Sequence, residues 1–229
     1  MNIAVILAGG TGSRMQSKTP KQFIKINGKP IISYTLMAFE QAELIDEIVI
    51  VCLDDYKEHI KTIISDFKIS KFNSLISNGN TRQQSVFNAI SHIKNYAKDD
   101  DIVLIHDGVR AMIMPDMIDK CVIETKKYKA VTLAQKTKNT MIIAKNGQIS
   151  KYLDRDFIYN VQTPQSFKFD IIYNSHINAI NSGNTDITDD TQIVMSYYDN
   201  IHIIENDLPN LKLTTKEDIM LFEYYLKSI

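Results

Sequence analysis

The sequence predicts an α/β fold, a Rossmann-like, mostly parallel sheet flanked by helices. Three observations carry this. Residues 3–7 (IAVIL), 47–51 (EIVIV) and 101–105 (DIVLI) are apolar without alternation, as strands buried on both faces must be. The stretches between them place apolar residues at helical spacing. Glycine-containing turns follow strand ends at Gly9, Gly79 and Gly108, and α/β sheets bind ligands at the carboxyl ends of their strands.

The elements follow in order. Strand 3–7 enters the turn Ala8-Gly9-Gly10. Residues 30–40 carry Ile31, Ile32, Tyr34, Leu36 and Phe39 at near-helical spacing, and 55–67 fits a helix with Ile60, Ile63 and Ile64 inward. Residues 74–77 read as a short strand. A helix over 81–96 aligns Val86, Ala89, Ile90 and Ile93, with Thr81 as its N-cap. Residues 115–127 form a helix with proline in its first turn, and 130–134 another strand. The alternation breaks over 137–157, where Asn146-Gly147 joins two β-rich runs, a strong hairpin signal. A hairpin seldom buries both faces alone, so an arm packing on a second subunit is the favoured reading and a flap over the site the alternative.

The 229 residues suit one domain plus this arm, 1–229 with 137–157 inserted. Apolar residues at 44% and charged residues at 23% exclude disorder. With 26 Lys plus Arg against 27 Asp plus Glu, the net charge of −1 gives no general pull toward nucleic acid or an anionic membrane. Any bound anion must be held by a local cluster of cations. Cys52 and Cys121 lie outside any CxxC or Cys/His ligand pattern and read as buried, reduced thiols. The amino-terminal stretch lacks a basic region, and no run approaches the ~18 apolar residues of a membrane span. A cytoplasmic protein is expected.

Three segments after strands could carry chemistry. In the first, residues 7–15, three glycines at 9, 10 and 12 let backbone N–H groups approach an anion. This is neither GxxxxGK[ST], for want of the Lys-Ser/Thr, nor GxGxxG, because Met15 stands where the third glycine belongs. A dinucleotide-binding dehydrogenase is thereby excluded. The loop supplies Arg14 and Lys21 instead. The second, His106-Asp107-Gly108-Val109-Arg110, offers a carboxylate suited to Mg²⁺ and an arginine suited to phosphate, while His106 reads as a packed residue rather than a base. The third places Arg82 and Ser85 one turn apart at a helix start after Gly79.

Together these segments resemble the CTP-dependent cytidylyltransferases of polyol phosphates, the methylerythritol-4-phosphate enzymes of isoprenoid synthesis and the ribitol-5-phosphate enzymes of wall and capsule polymers. The family pattern is L-A-A/G-G-x-G-x-R-M, P-K-Q, G-x-x-R-x-x-S, H-D-x-A/V-R, T-P-Q, T-D and N-x-K-V/I/L-T. Here it is met by residues 7–15, Pro20-Lys21-Gln22, Gly79 with Arg82 and Ser85, residues 106–110, Thr163-Pro164-Gln165, Thr188-Asp189 and residues 210–214, in family order along nearly the whole chain.

The resemblance implies a nucleotidyltransferase fold and a set of roles. Leu7, Ala8, Gly9, Gly10 and Thr11, with Gly79, Arg82 and Ser85, would bind CTP. Arg14, Lys21 and Lys212 would be the catalytic cations, and Asp107 would hold Mg²⁺. Asp107, Arg110, Thr163 and Thr188 would meet the acceptor phosphate, with Thr140 and Arg155 reaching in from the arm of a homodimer partner. Methylerythritol enzymes usually read LAAG and HDAARP, ribitol enzymes LAGG and HDSVRP. Gly9 and Val109 fall on the ribitol side, while Gly108 and Ala111 depart from both patterns at positions expected to touch the acceptor pocket. Ribitol 5-phosphate is the expected acceptor; methylerythritol 4-phosphate and glycerol 3-phosphate are the alternatives. A non-catalytic nucleotide-binding relative would have lost Arg14, Lys21, Asp107 or Lys212, and all four are present. A nucleotide–sugar transferase using UTP or ATP would share the loop.

Overall fold

A computed structural model describes residues 1–10 and 19–228. Its elements run β1 (Asn2–Ala8), a small hairpin of β2 (Lys25–Ile26) and β3 (Lys29–Pro30), α1 (Ile31–Gln41), β4 (Glu47–Cys52), α2 (Lys57–Asp66), β5 (Phe72–Ser77) and α3 (Arg82–Ile93). There follow β6 (Ile102–Asp107), α4 (Pro115–Tyr128), β7 (Ala130–Lys136), a second hairpin of β8 (Ile142–Lys145) and β9 (Gln148–Tyr152), and β10 (Tyr159–Lys168). The chain closes with α5 (Phe169–Asn181), α6 (Asp190–Met195), β11 (His202–Glu205) and α7 (Lys216–Ser228).

Seven strands form one sheet in the order β11-β7-β10-β6-β1-β4-β5. All neighbours are parallel except β10, which runs antiparallel between β6 and β7. The unbroken apolar strands follow from coverage on both faces. Ala4, Ile6, Ile48, Ile50 and Leu104 pack with Ile32, Leu36 and Phe39 of α1 and Ile118 and Val122 of α4. Ile3, Val5, Val49, Val51, Val103 and Ile105 pack with Val86, Ala89, Ile90 and Ile93 of α3 and with α5. A third, smaller cluster joins Ile26, Ile31, Val109, Ala111 and Met112 to Leu213 and Phe222. Full burial of a phenylalanine contributes roughly 1.5–3 kcal/mol, so Phe222 anchors α7 beside the loop after β6.

The structure refines several expected boundaries. The helix expected over 55–67 begins with a 3₁₀ turn, Asp54–Tyr56, and is α-helical only from Lys57. The strand expected to stop at 105 continues to Asp107, because His106 and Asp107 pair with Ile6 and Leu7. Thr81 caps α3, its hydroxyl accepting from the Gln84 N–H at 3.1 Å. Asn146 and Gly147 both take positive φ, 51° and 78°, as the turn of a two-residue hairpin requires. That hairpin forms its own sheet, and every residue of its two strands is exposed. Cys52 and Cys121 are buried free thiols, and burial pushes the Cys52 thiol up to about 11. No helix is long and apolar enough to cross a membrane among the described residues.

Candidate active site

The carboxyl ends of β1, β4, β5 and β6 open into a cleft of about 450 Å³. One wall is residues 7–10, fixed from behind by Gln22. Its buried side-chain amide donates to the carbonyls of Ala8 at 2.8 Å and Gly10 at 3.1 Å, which sets the backbone of the turn. The opposite wall is the start of α3. Gly9 lets the walls approach, since a Cβ there would lie 2.8 Å from the Asn78 Cβ, and Gly79 makes room for the first turn of α3, since a Cβ there would lie 2.4 Å from the Gln84 Cγ. The Gly79 N–H then donates to the Ser85 hydroxyl at 2.9 Å.

At the floor stands Asp107 among three cations. Lys212 Nζ lies 3.0 Å from its carboxylate, Arg110 Nε 3.4 Å and Arg82 Nε 3.8 Å. Burial alone would raise this carboxyl, yet Lys212, Arg82 and Arg110 hold it well below the usual carboxylate range. Arg82 also pairs with the fully buried Asp190 at 2.7 Å, and the two carboxylates outweigh its desolvation to keep it charged. Asp189 also acts on both arginines, and Lys21 lines the same cleft.

His106 lies behind this floor, fully buried, and burial pushes it down to about 3. Its Nε2 faces the Arg110 carbonyl at 3.3 Å, so Nε2 carries the proton and donates. Nδ1 is then an acceptor, which fixes the Thr163 hydroxyl, 3.0 Å away, as donor to it. The same hydroxyl accepts from the Asp107 N–H at 3.2 Å. A neutral histidine engaged at both nitrogens packs and orients; it is not placed to take a proton from substrate.

Of the positions expected to act, Leu7, Ala8, Gly9, Gly10, Lys21, Gly79, Arg82, Ser85, Asp107 and Lys212 line the cleft. Thr11 and Arg14 lie outside the described residues. Arg110 sits behind Asp107, one of its terminal nitrogens donating to the Asn210 carbonyl at 2.7 Å. Thr163 is buried with its hydroxyl engaged, and Thr188 is exposed. Thr140 and Arg155 are exposed on the arm, away from the cleft lining. The departures at 108 and 111 do not face the cleft as expected. A Cβ on Gly108 would meet the Leu7 carbonyl at 3.1 Å, and Ala111 packs into the cluster of Leu213 and Phe222. Val109 alone of the three lines the cleft. Sequence reasoning missed Asp190, one residue past the quoted Thr188-Asp189, and the anchoring role of Gln22.

A glycine turn facing Lys212 and Arg82 at the carboxyl ends of an α/β sheet is an arrangement suited to an anionic ligand. Comparison with known proteins specifies the class. A protein-family model described as IspD, 2-C-methyl-D-erythritol 4-phosphate cytidylyltransferase, matches residues 2–228. A 2-C-methyl-D-erythritol 4-phosphate cytidylyltransferase of Clostridium tetani is 41% identical over 227 residues, covering 99% of this chain and 90% of that one. A ribitol-5-phosphate cytidylyltransferase of Streptococcus agalactiae is 34% identical over 225 residues, covering 97% and 94%. The crystal structure of a 4-diphosphocytidyl-2C-methyl-D-erythritol synthase from Anaerococcus prevotii superposes with a TM-score of 0.83 at 29% identity, covering 99% and 96%. The chain belongs to the IspD family of cytidylyltransferases, enzymes of the nucleotidyltransferase class.

Proposed function

We propose that this enzyme moves a cytidylyl group from CTP to the phosphate of a polyol phosphate, with release of pyrophosphate. The observation that carries the reading is Lys212 and Arg82 on Asp107 at the cleft floor, across from the glycine turn, with Arg110 backing the same carboxylate. A phosphate monoester has a second pKa of about 6 and is a dianionic nucleophile near neutral pH. Its oxygen forms the new bond to the α-phosphorus of CTP, and the bond from that phosphorus to the bridging oxygen of pyrophosphate breaks. No general base is required, and His106 offers none. The task left to the chain is to bring two anions together and neutralise charge in the transition state, which suits Lys21, Lys212 and Arg82.

Asp107 is a cleft-lining carboxylate, and no group of three or more His, Cys, Asp or Glu side chains gathers into a metal cage among the described residues. That donor set fits Mg²⁺ held mainly by substrate phosphates with one protein carboxylate. When bound there, Mg²⁺ would supply further charge neutralisation on the triphosphate.

The acceptor we infer is D-ribitol 5-phosphate, supported by Val109 in the cleft wall. Methylerythritol 4-phosphate is the second reading, favoured by the 41% identity to the clostridial relative against 34% to the streptococcal one. The assembly we infer is a cytoplasmic homodimer, one catalytic unit per chain, with arms that carry Thr140 and Arg155 to the partner's cleft. The hairpin, exposed along both of its strands, and the two free thiols support it. Pyrophosphate release with CTP and Mg²⁺, offering ribitol 5-phosphate, methylerythritol 4-phosphate and glycerol 3-phosphate in parallel, tests the reading. Release with ribitol 5-phosphate alone is expected. Release with methylerythritol 4-phosphate alone would replace the acceptor, and none with any of the three would overturn the activity on polyol phosphates.

A further inference from the structure

The cations of the floor come from three distant parts of the chain, yet their supports meet on one short stretch of β10. The pairing of β10 with β7 slips between Val161 and Gln165, and such irregularities re-aim side chains within a strand. Gln162, Thr163 and Gln165 are all buried there. Each is bonded toward a different member of the floor.

Lys212 lies on a segment, residues 206–214, that is neither helix nor strand, so no backbone ladder fixes it. Gln162 Oε1 accepts from Asn206 Nδ2 at 2.9 Å and from Asn210 Nδ2 at 3.3 Å. Asn210 Nδ2 also donates to the Thr163 carbonyl at 2.8 Å, and the Leu213 N–H donates to the Val109 carbonyl at 3.0 Å. Gln165 works on the other side. Its Oε1 accepts from the N–H groups of Asp190 and Thr191 at 3.0 and 3.2 Å, and its Nε2 donates to Asp189 Oδ2 at 2.8 Å. That seats Asp190, the buried partner of Arg82. Thr163 completes the set through the Asp107 N–H.

We propose that Gln162 and Gln165 are positioning residues of this enzyme, Gln162 seating Lys212 through Asn206 and Asn210, and Gln165 seating Arg82 through the Asp189–Asp190 turn. Neither lines the cleft, and both act through the cation they support. The inference rests on the phosphate-binding reading of the site. It ties the placement of charge to polar bonds that a hydrophobic substitution of similar volume removes without emptying the core.

Double-mutant cycles test it, because a residue acting through another loses its effect when that other is gone. Affinity is measured by calorimetry for CTP, and for inorganic pyrophosphate as a probe of the cations without the base. Gln162→Met is expected to weaken both about 10-fold in the native background, and less than about 2-fold when Lys212→Ala is already present. Gln162→Glu keeps the accepting oxygen and should restore most of the affinity. Gln165→Met should behave alike against Arg82→Ala. Equal losses in both backgrounds would mark the glutamines as packing only and overturn the proposal, as would no loss at all. Should Gln162→Met not fold, Asn206→Ser removes the donor of the same contact and carries the same expectation. Wild-type protein that bound pyrophosphate but not CTP would overturn the cytidylyl reading while the cycle still decided this one.

Discussion

Lys212 Nζ lies 3.0 Å from Asp107 Oδ2, and that carboxylate is nearly buried while the ammonium is 38% exposed to the cleft. The pair is thus asymmetric: Asp107 is fixed by its backbone and by two arginines, and Lys212 is the member free to lean toward an incoming phosphate. Lys212→Ala is expected to lower turnover at least ~100-fold, the scale of losing one preorganised donor, and Lys21→Ala likewise. Near-native turnover in steady-state assays of either variant would remove that lysine from the catalytic set.

Gly79 predicts a loss without any loss of charge. Its absent Cβ would stand 2.4 Å from Gln84 Cγ and 2.9 Å from the Gln84 carbonyl carbon, so Gly79→Ala must displace the first turn of α3. Arg82 and Ser85 ride on that turn. The affinity for CTP in a calorimetric titration should fall about 10-fold or more, with the thermal midpoint lowered as well. Unchanged affinity would show that the start of α3 does not frame the nucleotide.

Acid sensitivity follows from two histidines. His106 and His176 are fully buried, and burial pushes them to about 3 and about 4. In the unfolded chain each takes up a proton near 6.5, whereas the folded chain does not. Their contribution is therefore present above pH 6.5 and is lost as pH falls toward 4, by about 1.4 kcal/mol per pH unit for each histidine. Urea titrations should show stability flat from pH 7 to 8 and falling below 6.5. His176→Leu should roughly halve the slope, since no hydrogen bond holds either of its ring nitrogens among the described residues. A slope unchanged in that variant would place the proton uptake elsewhere.

Much of this site can be read from residue type and spacing, and the reason is local. Gly9 follows and Asp107 ends a strand whose apolar run announces it, and Gly79 and Arg82 stand between a short strand and a helix with a capping Thr81, so chemistry and scaffold are adjacent in the chain. β10 gave no such signal. Its central residues, Gln162, Thr163, Gln165 and Ser166, are polar and buried, so the hydrophobic period that reveals β1 or β6 is missing. Asp190 escaped for a different reason. Its partner Arg82 is over a hundred residues away, and only folding brings the charges to 2.7 Å. The arm was legible through Asn146-Gly147 because a turn is a local device, although what covers its apolar residues is not written in one chain.

Those apolar residues carry the last prediction. Ile149 and Tyr152 on β9 are 56% and 64% exposed, and Phe157, the last residue of the 3₁₀ turn Arg155–Phe157, is 79% exposed. Burying them on a second copy is the homodimer inferred above, and light scattering on the intact protein should give twice the chain mass. Whether the arm also completes the partner's cleft is decided by mixing two defective proteins. Arg155→Ala removes the arm's arginine, and Lys212→Ala removes the floor's lysine. In a mixed dimer, one cleft inherits both defects, but the other combines a native Lys212 with the native Arg155 of the opposite chain. Random exchange makes half of the dimers mixed, so about one quarter of native activity should return from two nearly inactive parents. If Arg155 served its own chain's cleft, or none, every cleft in the mixture would keep a defect or Arg155→Ala would be active by itself. Absence of recovery after verified subunit exchange would therefore break the link between the arm and the partner's site while leaving the dimer itself standing.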